Sequence, residues 1–276
     1  MATTLPCDPE KDACILEGHF LLQRPIALPG TVTIDPGYPF GSTEAGTRDP
    51  HHGVEFYNAS GTPVLAAADG QVVMAGSDRQ IQTGPRLDFY GNVVVLEHSF
   101  SGITQPVYTL YGHLLKVEVQ PGQEVRSGQE IGLVGSTGEA IGSHLHFEVR
   151  LGQNDYASDR NPVLWLKFLA GPDTVSFGAI TGRVEDSTGK NLHATNINIQ
   201  YFPDPKGPQA AAYQVDTYAP DQPPVQADPL LNENFTLGDL PDGHYRVSII
   251  LGGRLYERWL DVLPGKLTFL VFQPGQ

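Results

Sequence analysis

Glycine and proline punctuate this chain so densely that no long helix has room to run: 31 Gly and 23 Pro fall within 276 residues. Between them lie short runs rich in Val and Thr, while long stretches of Ala, Glu, Leu and Lys are missing. Short extended runs joined by many turns predict a mostly β protein. The length is enough for two ordinary domains, each with its own core.

The formal net charge is −14, from 17 Lys+Arg against 31 Asp+Glu. Such a surface repels phosphate backbones and anionic lipid, so nucleic acid and membrane surfaces are not expected as partners. No stretch approaches the ~20 apolar residues of a membrane span. The two cysteines, Cys7 and Cys14, are close enough to close a small disulfide loop, which fits an oxidising compartment; two unrelated buried thiols are the alternative. No signal peptide is visible, so an exported protein would be a mature form with an added Met.

Turn signals divide the chain. Residues 1–30 carry the cysteine pair, and 31–171 alternate short β-like runs with turns, such as Val64-Leu65-Ala66-Ala67 and Val93-Val94-Val95-Leu96. The best linker is Ala170-Gly171-Pro172-Asp173. Strand patterns restart after Gly178, giving a second domain over 177–276 with the spacing of a β-sandwich. Residues 203–230, rich in Pro, Asp and Gln, read as a long exposed loop.

The most informative strand is Ser143-His144-Leu145-His146-Phe147-Glu148-Val149-Arg150. Its alternation sends Leu145, Phe147 and Val149 one way and His144, His146, Glu148 and Arg150 the other. A wet sheet face can carry polar residues in any order, but two adjacent imidazoles on one face suit a metal. A second cluster, His51-His52-Gly53-Val54-Glu55, sets His51 and Glu55 an even step apart, on one side of an extended segment. One imidazole and one carboxylate from here, with an imidazole from the other strand, make the N/N/O set of a catalytic zinc site, with a fourth position for water. His113, in Tyr111-Gly112-His113-Leu114, would be unremarked alone.

Together these blocks resemble the LytM/lysostaphin-type zinc endopeptidases, which cleave peptide cross-links in bacterial peptidoglycan. The resemblance covers roughly residues 38–165 and adds Tyr38-Pro39-Phe40-Gly41-Ser42, Gly61-Thr62-Pro63-Val64, Ala67-Ala68-Asp69-Gly70, Tyr90-Gly91-Asn92 and 122–138. It implies an all-β fold: an antiparallel barrel-sandwich hybrid, the duplicated hybrid motif, followed by a small β-sandwich. It implies Zn2+ on His51, Glu55 and His146, with His113 and His144 as the catalytic pair around the attacked carbonyl. The family's usual pattern has Asp where this chain has Glu55, one methylene longer but still a hard oxygen donor. Loops around 76–90 and 135–143 are expected to wall the groove. The implied substrate is a peptidoglycan or other peptide, and the implied location is extracytoplasmic. His52 and His98 are expected at the surface or just behind the site.

Two rivals bear weighing. A catalytically degenerate wall-binding module of the same fold would commonly have lost an imidazole, yet all five positions keep a competent residue. A biotinyl or lipoyl carrier domain, suggested by residues 121–132, needs a modifiable Lys at a hairpin tip. Lys116 is the sole Lys between His51 and Arg150 and lies in a strand-like run. The C-terminal domain resembles transthyretin-like or carboxypeptidase-regulatory sandwiches through Gly182-x-Val184, Asp186-x-x-Gly189 and 240–245. Its role would be adhesion to wall polymer or protein, or simple spacing.

Overall fold

A computed structural model describes residues 6–44, 46–168, 176–218 and 225–274. The predicted linker at 170–173 lies outside them. Among the described residues there is no α-helix, only a 3-10 turn at Pro162–Leu164 capped by the Asn161 side chain. No helix is long and apolar enough to cross a membrane. By contacts the chain divides into two units. One holds residues 20–35 and 52–167, and the other holds 1–19, 36–51 and 168–276.

In the first unit, an open antiparallel sheet runs in the order Asp159–Arg160, His144–Leu151, Val107–Gly112, Asn92–His98, Gly70–Ser77, Glu124–Val125. Val54–Tyr57 pairs with the free edge of His144–Leu151. A second sheet of three strands is built from Pro63–Leu65, Glu130–Leu133 and Lys116–Val117. Neither sheet closes into a barrel. The run Val93-Val94-Val95-Leu96 is fully buried, as expected of a central strand covered on both faces. Val93 and Val95 cluster with Tyr90 and Leu110, so the sheet's core continues to the base of the candidate site.

In the second unit, one sheet runs Cys14–Leu16, Leu267–Phe272, Phe177–Val184, Phe235–Pro241, and the other Ala211–Asp216, Asn196–Phe202, Gly243–Leu251, Arg254–Val262. Ile180, Phe235 and Phe272 from the first sheet share a core with Ile197, Val247 and Leu260 from the second. Each such side chain contributes roughly 1.5–3 kcal/mol by leaving water. Phe177–Val184 runs parallel to Leu267–Phe272, an exception to antiparallel pairing. A disulfide joins Cys7 to Cys14, beside the strand that pairs with residues 267–269. The expected long loop at 203–230 contains the strand Ala211–Asp216, in register with Asn196–Phe202. Its weak alternation (Tyr213 and Val215 inward) is masked by Pro, Asp and Gln on both sides.

Candidate metal centre and active site

Every residue of His144–Leu151 is buried, because partners flank it on both edges. The Val54–Tyr57 pairing sets His146 opposite Glu55, so the carboxylate arrives as the cross-strand neighbour of the imidazole. One ligand atom each from His51, Glu55 and His146 lie within 4.8 Å of one another, all three side chains being buried. Gly53 makes room for this. A Cβ there would meet the Phe147 carbonyl at 2.5 Å and His146 Cε1 at 2.7 Å, so any side chain would push the ring out.

Hydrogen bonds orient the rings. His51 donates from Nδ1 to the Tyr38 carbonyl, 2.8 Å, and stacks on the Tyr38 ring, leaving Nε2 as its lone-pair nitrogen. His146 Nε2 lies 3.1 Å from Glu148 Oε1, while Nδ1 lies 3.0 Å from Glu55 Oε1. Burial alone would lower the pKa of His146, but Glu55 and Glu148 on either side raise it well above the ordinary histidine value. Glu148 is itself fully buried; burial opposes its charge, yet Arg150 and His146 hold its pKa below the usual range. The Tyr90 hydroxyl donates to Glu148 Oε1, and Arg150 Nε reaches Glu148 Oε2 at 2.8 Å. Arg150 is anchored in turn by the Thr83 carbonyl and Asn154.

His113 adopts φ 61°, a left-handed conformation uncommon for a side-chain-bearing residue. Its backbone N–H donates to the Tyr90 carbonyl and its Nδ1 to the Thr137 carbonyl, both 2.8 Å. Nε2 is therefore the free nitrogen. The His113 ring lies 4.8 Å from that of His144 and 5.7 Å from that of His146. Burial, then the charge of His146, lower its pKa to about 4, so it is neutral near pH 7. His144 donates from Nδ1 to the Gly142 carbonyl, 3.2 Å, and places Nε2 3.2 Å from Glu55 Oε2.

All five predicted residues thus converge. His52 and His98 are expected at the surface or just behind the site, and neither is at the surface. His52 is buried against Asp159 at 2.8 Å and stacked on Tyr156. His98 is buried between the Asp69 carbonyl and Thr109. Both are held as structural polar groups, because their strands or neighbours turn them inward. Sequence reasoning gave no role to Glu148, Arg150, Tyr90 or Thr137. The signal for the first two was available, since alternation puts them on the His face.

The donor set fits a zinc ion: two imidazole nitrogens and one carboxylate oxygen in a buried cluster, with no thiolate, the three-donor set of catalytic zinc sites. The His146–Glu148 bond is the kind of support that metal-ligating histidines receive from a carboxylate behind them.

A family profile, Peptidase family M23, matches residues 49–159. The chain is 40% identical over 100 residues to the peptidoglycan DD-endopeptidase ShyA of Vibrio cholerae, a match covering 36% of this chain and 20% of that protein. It is 40% identical over 101 residues to the DD-carboxypeptidase/endopeptidase Mpg of Neisseria meningitidis, covering 37% of this chain and 20% of Mpg. The match thus spans about a fifth of these relatives' length. Among solved structures, the catalytic domain of lysostaphin from Staphylococcus simulans is 30% identical, with 47% of this chain and 88% of that one covered and a TM-score of 0.38. Through residues 49–159 the chain belongs to peptidase family M23, the LytM/lysostaphin type.

Proposed function

We propose that this protein is an extracytoplasmic zinc-dependent endopeptidase that hydrolyses peptide bonds in peptidoglycan cross-links. The reading is carried by one observation: the buried cluster of His51, Glu55 and His146, with the rings of His113 and His144 beside it. His51, Glu55 and His146 would hold the metal. When bound, zinc supplies a Lewis acid for the scissile carbonyl and lowers the pKa of a water toward ~7.

The chain's own residues supply the proton chemistry. His113 is neutral, fixed in its Nδ1–H form by the Thr137 carbonyl, and offers a lone pair at Nε2. It can accept a proton there and return it to the leaving amine. His144, on the same strand face as His146, is placed to hydrogen-bond the developing oxyanion when its Nε2 is protonated. Glu148 and Arg150 keep the His146 ring from rotating.

The test is metal content by elemental analysis for wild type, Glu55→Ala and Glu55→Asp, coupled to a peptidoglycan digestion assay. The expected result is near-stoichiometric zinc in wild type and Glu55→Asp, its loss in Glu55→Ala, and digestion abolished by chelator. Zinc absent from wild type, or cleavage retained by His146→Ala, overturns the assignment.

A further inference from the structure

Among the described residues no strand lies between Cys14–Leu16 and Val54–Tyr57, so His51 joins the metal cluster from a loop that no ladder fixes. By contacts, residues 36–51 group with the β-sandwich. The loop closes on itself at its base. The Gly41 N–H donates to the His51 carbonyl at 2.7 Å, and the His51 N–H donates to the Ser42 carbonyl at 3.0 Å. Wherever Gly41 is held, the backbone of His51 is held with it.

Gly41 is held by Tyr218. It has φ 77°, and a Cβ there would meet Tyr218 Cδ1 at 2.5 Å and Tyr218 Cβ at 2.7 Å, so only a glycine lets the loop backbone lie against that side chain. The neighbouring Phe40 is buried and meets the Tyr218 ring edge-on, centroids 5.2 Å apart, in a small cluster with Val225. Tyr218 is fixed from the sandwich side. Its N–H donates to the Asn234 carbonyl at 2.8 Å and its hydroxyl to Glu233 Oε1 at 2.6 Å. Asn234 is fully buried and clamped in turn to the end of Phe177–Val184. Its Nδ2 donates to the Val184 carbonyl at 3.0 Å, and its Oδ1 accepts from the Val184 N–H at 2.9 Å.

We propose that Tyr218 is a positioning residue for the metal centre, setting the place of His51 through Phe40 and Gly41. The role rests on the zinc reading of His51. Metal-binding side chains must be held to within about 0.5 Å of their working geometry, and a loop without strand pairing needs an outside anchor to achieve that. Tyr218 lies beyond the family match at 49–159, so this anchor comes from the part of the chain that the peptidase domain does not contain. The β-sandwich is then more than a spacer.

The test is zinc affinity of the full chain, read by competition with a chromophoric chelator. Tyr218→Leu and Phe40→Leu each remove one ring but keep an apolar side chain, whereas Tyr218→Phe keeps the ring and loses the hydroxyl. Ile249→Ala destabilises the separate core cluster of the sandwich. The expected result is a fall of about tenfold in both leucine variants, with Tyr218→Phe and Ile249→Ala within about twofold of wild type. A second readout needs no metal: the nitrogen-15 shifts of the His51 side chain in chelator-treated protein. The Nδ1–H form that the Tyr38 carbonyl holds in wild type should give way to a mixture of tautomers in Tyr218→Leu. Wild-type affinity in both leucine variants, with the His51 signal unmoved, overturns the role. An equal fall in Ile249→Ala also overturns it, by making the loss a general effect of destabilisation. Zinc absent from wild type, with the His51 signal still disturbed in Tyr218→Leu, would remove the zinc reading and leave Tyr218 as the residue that places His51.

Discussion

The Glu148 carboxylate and the Glu55 carboxylate grip opposite nitrogens of the His146 ring, at 3.1 Å from Nε2 and 3.0 Å from Nδ1 respectively. Nδ1 is the nitrogen on the Glu55 side, so Glu148 is the group that fixes the ring's tautomer and orientation from behind. Glu148→Gln keeps the shape but weakens that grip. The expected outcome is a fall of about 10- to 100-fold in zinc affinity, read by competition with a chromophoric chelator. Glu148→Ala goes further, because Arg150 is fully buried and would lose its carboxylate. It should lower stability by about 3–5 kcal/mol, measured by denaturant unfolding. Unchanged affinity in Glu148→Gln would show that the ring needs no support from behind.

Gly53 makes a different demand, one of space. With 2.5–2.8 Å to the Phe147 carbonyl and the His146 ring, even a methyl group must displace something. Gly53→Ala is expected to cost about 1–3 kcal/mol in overpacking. Bound zinc should also fall, because the ring that moves is a proposed ligand. Elemental analysis alongside thermal unfolding checks both effects. Full zinc in a destabilised Gly53→Ala would mean that the backbone, not His146, gives way.

Thr137 holds His113 by its carbonyl and is itself held by its hydroxyl, which accepts from the Asn92 backbone N–H at 2.9 Å and donates to the Leu114 carbonyl at 2.9 Å. Thr137→Val removes both hydroxyl bonds but keeps the volume; Thr137→Ser restores them. The valine variant is expected to lose about tenfold to a hundredfold in kcat, less than the roughly 10²–10⁴-fold that a general acid–base group contributes, because His113 is loosened rather than removed. The serine variant should stay near wild type. The nitrogen-15 shifts of the His113 side chain give a readout independent of turnover. A valine variant with an unaltered Nδ1–H tautomer and normal kcat would remove Thr137 from the positioning network.

How far the chain could be read from its residues follows from the range of the interactions. The alternation in 143–150 appears as the strand His144–Leu151, because a period of two is local and each side chain declares its own face. The turn-rich composition gives the all-β character in the same way. Tyr90 is another matter: it meets Glu148 across 58 residues, and nothing near either one announces the pair. His98 is expected at the surface or just behind the site, and its burial has no local signal because the groups that enclose it, Asp69 and Thr109, lie 29 and 11 residues away. The strand Cys14–Leu16 pairs with residues 267–269, near the other end of the chain, a contact no local pattern encodes.

The second unit carries a titrating group of its own. Glu233 is fully buried, accepting from the Tyr218 hydroxyl at 2.6 Å and from the Asp228 backbone N–H at 2.9 Å. Burial, then the charge of Asp228, raises its pKa from an ordinary 4.5 to about 8. Asp228 itself faces His19 at 2.7 Å, so the cluster already contains one ion pair when His19 is protonated. The sign follows from proton counting. Between pH 4.5 and 8 the folded chain keeps a proton on Glu233 that the unfolded chain has released, so raising pH favours unfolding. The contribution is fully present below pH 4.5 and is lost as pH rises toward 8, at a limiting slope of about 1.4 kcal/mol per pH unit. Glu233→Gln cannot titrate. Its stability relative to wild type should therefore increase steadily from pH 5 to pH 8, as followed by denaturant unfolding at each pH. A constant difference between the two proteins across that range would mean that Glu233 is ionised in the folded chain throughout.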